Sequence, residues 1–318
     1  MPKPFERALE LAERGRGKTH PNPVVGAVVV AGDEVVGEGW HERAGGPHAE
    51  ILALEAAGER ARGATLYVTL EPCAHYGRTP PCVDAIVDAG VACVVVGAPD
   101  PNPKTDGQGF ARLREAGMEV ELLDGEPARR ARRQNEAWRT WIATGRPFVT
   151  YKAAVTLDGR VVVPASRWVT GEESRLRVHE LRAASDAVAV GMGTVRADSP
   201  GLDARDMETD RQPRRLAFGT GPLTEGSELE LVSGPLDEAL ERLAAEGVQS
   251  LLLEGGPTLA SSFLREGLVD KLLLFVAPKL AGSGPRWVDE LGAALSLTGV
   301  EAERVGDDVL LTGYIREP

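Results

Sequence analysis

Two consecutive α/β units are predicted from this sequence by three observations. The chain has 318 residues, about twice the ~100–200 residues of a typical domain. Short β-rich apolar runs alternate with stretches of helical periodicity along its whole length, the pattern of sheets covered by helices. Glycine and proline punctuate almost every change of period. The two halves share no alignable repeat, so they are read as different domains. Hydrophobic residues make up 42% and charged residues 26%, which is ordinary for a globular protein, and no apolar run approaches the ~18–20 residues of a membrane span.

In the first half, residues 4–16 (PFERALELAERGR) have helical spacing and end at glycines. VVGAVVVAGDEVVGEGW reads as two strands joined at Gly32-Asp33, and HAEILALEAAGERA as a helix. TLYVTLEPC is a strand entering a loop, PPCVDAIVDAG a helix opened by prolines, and VACVVVGAPDPNP a buried strand ending in a turn. GFARLREAG, EVELL and a single helix PARRARRQNEAWRTWIATG complete this half. Thr144 to Pro147 is the expected boundary, giving domains 1–145 and 146–318. The second half opens with the strand RPFVTYKAAVTLDGRV, followed by the helix ESRLRVHELRAAS, the strand DAVAVGMGTV, a polar loop over 197–213 and the strand RRLAFGT. The helix DEALERLAAEG, strand SLLLEGG, helix TLASSFLREG and strand KLLLFVAP follow; no element is assigned beyond them.

The net charge is −12, and neither half is basic, so a general nucleic-acid binder is disfavoured. The one dense cationic run, Arg129, Arg130, Arg132 and Arg133, is read as a solvated helix face. The opening MPKPFERALELAERG alternates charge with apolar residues, unlike a signal peptide. A cytoplasmic protein with no membrane partner is expected. Three cysteines cannot form a disulfide framework, which leaves metal binding, catalysis or burial.

His48-Ala49-Glu50, Pro72-Cys73 and Cys82 form the sharpest constellation. One imidazole and two thiolates suit zinc, and three protein ligands leave a tetrahedral position for water. Bound water loses a proton near neutral pH, and Glu50 is placed to carry that proton as the catalytic acid–base. This is the logic of the zinc deaminases that act on nucleobase amines. The cysteines lie eight residues apart rather than two, so AHYGRTPP forms a longer loop, with Pro80 and Pro81 starting the helix that carries Cys82. Two other readings stay open: His75 as a fourth ligand closing a structural site, and unmetallated buried cysteines. Cys93, in VACVVV, is expected to be core. In the second half, Gly191-Met192-Gly193-Thr194 and Glu254-Gly255-Gly256-Pro257-Thr258 follow apolar strands. Such turns allow close backbone approach to a phosphate, and two in one domain argue for a dinucleotide.

PNPVVGAVVV, GWHERAGGPHAE and TLEPCAHYGRTPPC closely resemble the bifunctional riboflavin-biosynthesis deaminase-reductase family, and the long-loop cysteine motif separates it from other zinc deaminases. YKAAVTLDGR, SRWVTGEESRLRVHELRAASDAVAVGMGTVRADSPGLDAR and LLLEGGPTLASSFL extend the resemblance to the reductase half. The resemblance implies an N-terminal cytidine-deaminase-like α/β/α domain followed by a dihydrofolate-reductase-like α/β domain. It implies zinc and NADPH as cofactors and small pyrimidine ribotides as substrates, deaminated and then reduced from ribosyl to ribityl, in a homodimer or higher homo-oligomer. It places Asn22, His41, His75 and the loop Gly77-Arg78-Thr79 in the deaminase pocket. Trp168, Gly191, Gly193, Thr194, Gly255 and Gly256 would hold the cofactor; Ser166, Arg182, Asp198, Leu202, Arg205 and Glu254 would meet the reductase substrate. Lys152 is a candidate proton donor. The segment DGRVVVPASRW is about two residues shorter than usual in the family, and RRLAFGTGPLTEG lacks the family's Asp-Ser continuation. That leaves Arg214 or Arg215 as the substitutes considered for the adenosine 2′-phosphate. The alternatives are a deaminase for another nucleotide whose second domain only binds phosphate, and a regulatory protein with a structural zinc.

Overall fold

The computed structural model describes residues 3–76, 80–102, 105–205 and 211–318. The chain divides into two compact units, residues 1–144 and 145–317. Both are α/β, as expected.

The first unit begins with α1 (Pro4–Glu13), whose Ala8 and Leu11 pack on Val28 and Val30. Strands β1 (Gly26–Ala31) and β2 (Glu34–Trp40) form an antiparallel pair across the Gly32-Asp33 turn. After α2 (Ala49–Ala57) come β3 (Thr65–Val68), α3 (Cys82–Ala89), β4 (Cys93–Val96), α4 (Gln108–Glu115) and β5 (Glu119–Leu122). The sheet order is β2-β1-β3-β4-β5, with β1 antiparallel to β3 and the last three strands parallel. The start of β1 therefore lies at the same edge of the sheet as the ends of β3 and β4. Strand β2 lies so close to α2 that a Cβ on Gly39 would stand 2.4 Å from the Ala49 carbonyl oxygen. Glycine is required there by contact, and that contact seats the helix whose first turn carries the catalytic candidates.

Two expectations for this unit are corrected. The single C-terminal helix is two, α5 (Gly125–Gln134) and α6 (Glu136–Thr144), broken at Asn135, whose side chain bonds to a distant backbone. Cys93 is half-buried rather than core, because it opens β4, where the strand's burial is still incomplete.

The second unit holds an eight-stranded mixed sheet of order β12-β13-β11-β6-β10-β7-β8-β9. Six of its strands are parallel: β6 (Phe148–Thr156), β7 (Ala187–Gly191), β8 (Arg214–Phe218), the edge strand β9 (Glu230–Val232), β10 (Ser250–Leu253) and β11 (Lys271–Ala277). Helices α7 (Glu172–Ala184), α8 (Met192–Asp198), α9 (Leu236–Ala245) and α10 (Pro257–Arg265) alternate with them. Tyr151, Leu251, Leu253 and Phe263 are fully or almost fully buried in the main core. The strand expected through Val195 ends at Gly191, and the backbone turns into α8, so Thr194 and Asp198 are helical. The closing hairpin β12 (Thr298–Val305) and β13 (Asp308–Tyr314), like β9, was not assigned from sequence. The hairpin's signal was the glycine-led turn at Gly306-Asp307 before VLLTGY. No helix among the described residues is long and apolar enough to cross a membrane.

Candidate active sites

Two helix N-termini build the metal site of the first unit. His48 is the residue preceding α2, Cys82 is the first residue of α3, and Cys73 comes from the segment that follows β3. Their ligand atoms all lie within 4.8 Å of one another. His48 Nδ1 is 3.1 Å from Cys82 Sγ and 3.6 Å from Cys73 Sγ. The Cys82 backbone N–H donates to Cys73 Sγ at 3.3 Å. Contact with Cys82 and His48 holds the Cys73 thiol below the ordinary thiol range, and the neighbouring Cys73 sulfur pushes the Cys82 thiol up. Two sulfurs and an imidazole held this close together suit a shared cation, since a divalent ion deprotonates coordinating thiols. The donor set, one imidazole and two thiolates with no fourth protein donor among the described residues, thus fits zinc at an open site. The exposed His75 lies outside the cluster, which removes the closed four-ligand reading.

Glu50 sits in the first turn of α2, 3% exposed, and burial raises its carboxyl above the ordinary range. A buried, raised carboxyl beside a metal site, not itself a ligand, is suited to taking and returning a proton near neutral pH.

His41 and Asn22 meet at this site. His41 Nδ1 donates to the Pro47 carbonyl at 3.0 Å, which leaves Nε2 as the acceptor for the Asn22 amide at 3.2 Å. Burial lowers the His41 pKa, in keeping with this neutral tautomer. The His41 and His48 rings stand edge to face with centroids 5.4 Å apart. The loop 77–79 lies outside the described residues.

Sequence reasoning missed Glu71. Its buried carboxylate accepts N–H bonds from Asp100, Gly107, Gly109 and Phe110, at 2.9 to 3.4 Å. Glu71 thereby pins the segment after β4 and the start of α4 to the strand end that leads into Pro72-Cys73. Gly109 passes so close that a Cβ would stand 2.3 Å from the Pro72 oxygen. A carboxyl just after a strand was the available signal, but its partners lie about 30–40 residues away.

In the second unit, a cleft of about 1290 Å³ opens over the carboxyl ends of β7 and β10, the usual ligand position in parallel sheets. It is large enough for a dinucleotide and a second small molecule. Gly191, Gly193, Gly255 and Gly256 line it. The two turns meet there: a Cβ on Gly256 would stand 3.3 Å from Thr194 Oγ1, and one on Gly255 3.1 Å from Leu259. These bare backbones at helix starts fit a pyrophosphate. Trp168, 46% exposed, lines the cleft between the guanidiniums of Arg167 and Arg175, 4.9 and 5.3 Å from its ring centroid.

At the floor, β10 pairs with β6 so that Leu253 faces Tyr151. The residues that follow them, Glu254 just past β10 and Lys152 on β6, therefore come together at 3.2 Å. Arg182, from α7, adds Nε and Nη2 bonds to the same carboxylate at 2.6 and 3.1 Å, and its Nη1 donates to the Asp203 carbonyl. Burial alone would raise the Glu254 pKa, but Lys152 and Arg182 hold it at about 2.

The remaining sites separate. Asp198 and Arg205 line the cleft, and Arg205 is the more exposed arginine, paired with Asp203 at 3.3 Å. Ser166 is exposed and turned onto the Trp168 backbone, outside the cleft lining. Leu202 buries its side chain against Val188, Val190 and Leu252. Arg214 and Arg215 open β8 opposite Ala187 and Val188, the far end from Gly191, and are held by Glu230, Glu246 and Glu228. They do not reach the cleft, which corrects the substitution considered for the 2′-phosphate. His179, buried on α7, also lines the cleft and was not anticipated; inside a strongly polar helix it gave no signal.

The two sites define a class: an open zinc-type deaminase centre and a glycine-floored α/β reductase domain in one chain. Residues 3–98 match the model for the cytidine and deoxycytidylate deaminase zinc-binding region, and residues 147–311 match the RibD C-terminal domain. Riboflavin biosynthesis protein RibD of Aquifex aeolicus is 42% identical over 96% of this chain and 95% of its own length. RibD of Escherichia coli is 40% identical over 96% of both. RibD of Acinetobacter baumannii superposes with a TM-score of 0.85 at 38% identity, covering 98% of this chain and 97% of that one. A Thermotoga maritima structure described as a diaminohydroxyphosphoribosylaminopyrimidine deaminase/5-amino-6-(5-phosphoribosylamino)uracil reductase gives 0.84 at 34% identity, over 98% and 97%. The chain belongs to the RibD family of bifunctional riboflavin-biosynthesis enzymes, with a zinc-binding deaminase domain and a reductase domain.

Proposed function

We propose that the first unit deaminates 2,5-diamino-6-ribosylamino-4(3H)-pyrimidinone 5′-phosphate and that the second reduces the product's ribosyl group to ribityl. The observation that carries the reading is one chain with a three-ligand zinc-type cluster beside a buried carboxyl and a separate dinucleotide-sized cleft. His48, Cys73 and Cys82 would hold zinc, which when bound makes water a nucleophile near neutral pH. Glu50 takes one proton from the attacking water and gives it to the ring nitrogen, then carries the second, from the newly bonded hydroxyl, to the departing amine, so that the C–N bond breaks, ammonia leaves and a carbonyl remains. Asn22 orients the pyrimidine, with its amide fixed by His41. His75 borders this pocket.

In the second site, Gly191, Gly193, Gly255 and Gly256 receive the pyrophosphate of NADPH, with Thr194 and Trp168 beside it; the cofactor supplies hydride. The ribotide phosphate is met by Arg205 and by the N–H groups of Arg182 not spent on Glu254. Ser166 and the Leu202 backbone complete that phosphate site at its rim, and Asp198 meets ribose hydroxyls. Glu254 and Lys152 stand at the reacting end, where Lys152 is placed to deliver the proton that accompanies hydride transfer. Arg205→Ala is expected to raise the reductase KM about tenfold while kcat stays within about threefold, the signature of lost ground-state phosphate binding. A fall in kcat at unchanged KM would assign Arg205 elsewhere.

The free thiols Cys73 and Cys82 suit a reducing compartment, here the cytoplasm. Leu157 and Leu280 are 65% and 75% exposed and adjoin through the Leu157 N–H to Lys279 bond, which supports a homo-oligomer. Light scattering giving the mass of one 33.8 kDa chain would refute that assembly.

The decisive experiment supplies the zinc-loaded enzyme with the diaminopyrimidine ribotide, with NADPH, NADH or neither, and identifies products by mass spectrometry. Exchange of one amino group for oxygen is expected without nicotinamide, and the ribityl product with NADPH. Absence of the first product, or of the second with both nicotinamides, overturns the corresponding half.

A further inference from the structure

We propose that Asn135 and Arg139, one helical turn apart at the break between α5 and α6, are positioning residues for the deaminase pocket. Both lie outside the zinc-binding region matched at 3–98. The proposal rests on the reading that Asn22 and His41 face the deaminase substrate.

Asn135 is 6% exposed and stands between two helices with φ −116° and ψ 29°. Asparagine commonly satisfies its amide on nearby backbone, which is why it suits helix ends. This one instead reaches 111 residues back along the chain. Its Oδ1 accepts the Val24 N–H at 2.9 Å, and its Nδ2 donates to the Val24 carbonyl at 2.8 Å. The side chain thus takes the place of a neighbouring strand for a residue that precedes β1 and has no ladder partner of its own, satisfying two buried backbone groups together.

Val24 is two residues from Asn22. The next residue, Val25, accepts the His41 backbone N–H at 2.9 Å. Asn22 and His41 then meet through their side chains. The clamp therefore fixes the stretch of backbone from which both pocket residues are held, and the His41 ring in turn abuts the ligand His48.

Arg139 holds the segment that follows β4. Its N–H donates to the Asn135 carbonyl, and its Nη1 donates to the Pro99 carbonyl at 2.7 Å. Pro99 precedes Asp100, whose N–H is held by Glu71, two residues before Cys73. The start of β1 and the end of β4 flank the end of β3 at one edge of the sheet. One helical elbow therefore grips both segments bordering the strand end that leads to Cys73. A displacement near 1 Å in either would move pocket groups without removing a metal ligand, and positioning errors of that size are costly in catalysis.

The test uses full-length, zinc-loaded enzyme and N135D, R139M, R139K, N22A and the double variant N22A/N135D. Zinc per chain and reductase turnover report that both units remain folded. In N135D one acceptor for Val24 N–H survives while the donor to its carbonyl is lost. The deaminase KM is expected to rise about tenfold with kcat within about threefold and zinc unchanged. R139M should behave alike, and R139K, which keeps a donor for Pro99, should recover most of the loss. Because Asn135 acts through Asn22, the double variant should match N22A to within about twofold rather than multiply the two effects.

Multiplying effects overturn the proposal, as does loss of zinc in parallel with activity, which marks a purely structural staple. An unchanged N135D KM beside a raised N22A KM overturns this proposal alone. An unchanged N22A KM overturns the pocket reading and the proposal with it.

Discussion

Glu50→Gln is expected to lower deaminase kcat by about 10²–10⁴-fold, the usual worth of a positioned acid–base group, while zinc content and reductase turnover stay as they are. The substitution is nearly isosteric at a position 3% exposed, so packing is preserved. Glutamine cannot take up a proton, so both transfers, from water and to the departing amine, lose their carrier. Burial raises the Glu50 pKa. Ammonia release at wild-type rate from a zinc-loaded Glu50→Gln enzyme would falsify the assignment.

Glu254→Gln is expected to damage the second unit in two ways. Lys152 and Arg182 would be left with no counter-charge at a site where the carboxylate side chain is only 8% exposed. Breaking a buried charge group by removing one partner costs about 3–5 kcal/mol, visible as a lower urea midpoint for that unit. Lys152 and Arg182 also lose their common anchor, so reductase kcat/KM should fall by about 10²-fold or more through misplacement of groups at the reacting end. The sign with pH follows from the depressed pKa. With the folded value at about 2 and an ordinary value of 4.5, the carboxylate's contribution is complete above about 4.5 and is lost as pH falls through 2. Acid destabilisation in that window should therefore be shallower in Glu254→Gln than in the wild type. Unaltered reductase kinetics, with a urea midpoint that does not move, would show that the cluster contributes neither to stability nor to turnover.

Much of the zinc-type centre was legible because its chemistry is carried by short motifs whose residue types have few alternatives. His48 and Glu50 are two residues apart on one helix start, and Pro81 marks the helix start that brings Cys82 into place. The glycine turns were legible for a similar reason, since backbone approach leaves glycine in the sequence. What could not be read were long-range partnerships. Glu71, Asn135 and Arg182 are ordinary polar residues until the fold brings Gly109, Val24 and Glu254 to them. Arg182 was assigned to the substrate by resemblance, and only the fold shows that two of its N–H groups are engaged by Glu254 and a third by the Asp203 carbonyl. Arg214 and Arg215 were considered for the 2′-phosphate on charge alone, and strand direction puts them at the wrong end of β8.

By itself the sequence determined two α/β units, a His-Cys-Cys ligand set with Glu50 beside it, and glycine turns after apolar strands. These are local properties, written in periodicity, spacing and the few residue types that a metal or a bare backbone tolerates. The tertiary structure alone decided that the metal site has three clustered ligands without His75, that Glu254, Lys152 and Arg182 form one buried charge group, and that a helix break holds the approach to β1. Each of those depends on strand register or on a hydrogen bond between residues far apart in the chain, and burial makes such bonds consequential because an unmatched polar group there has no water to turn to.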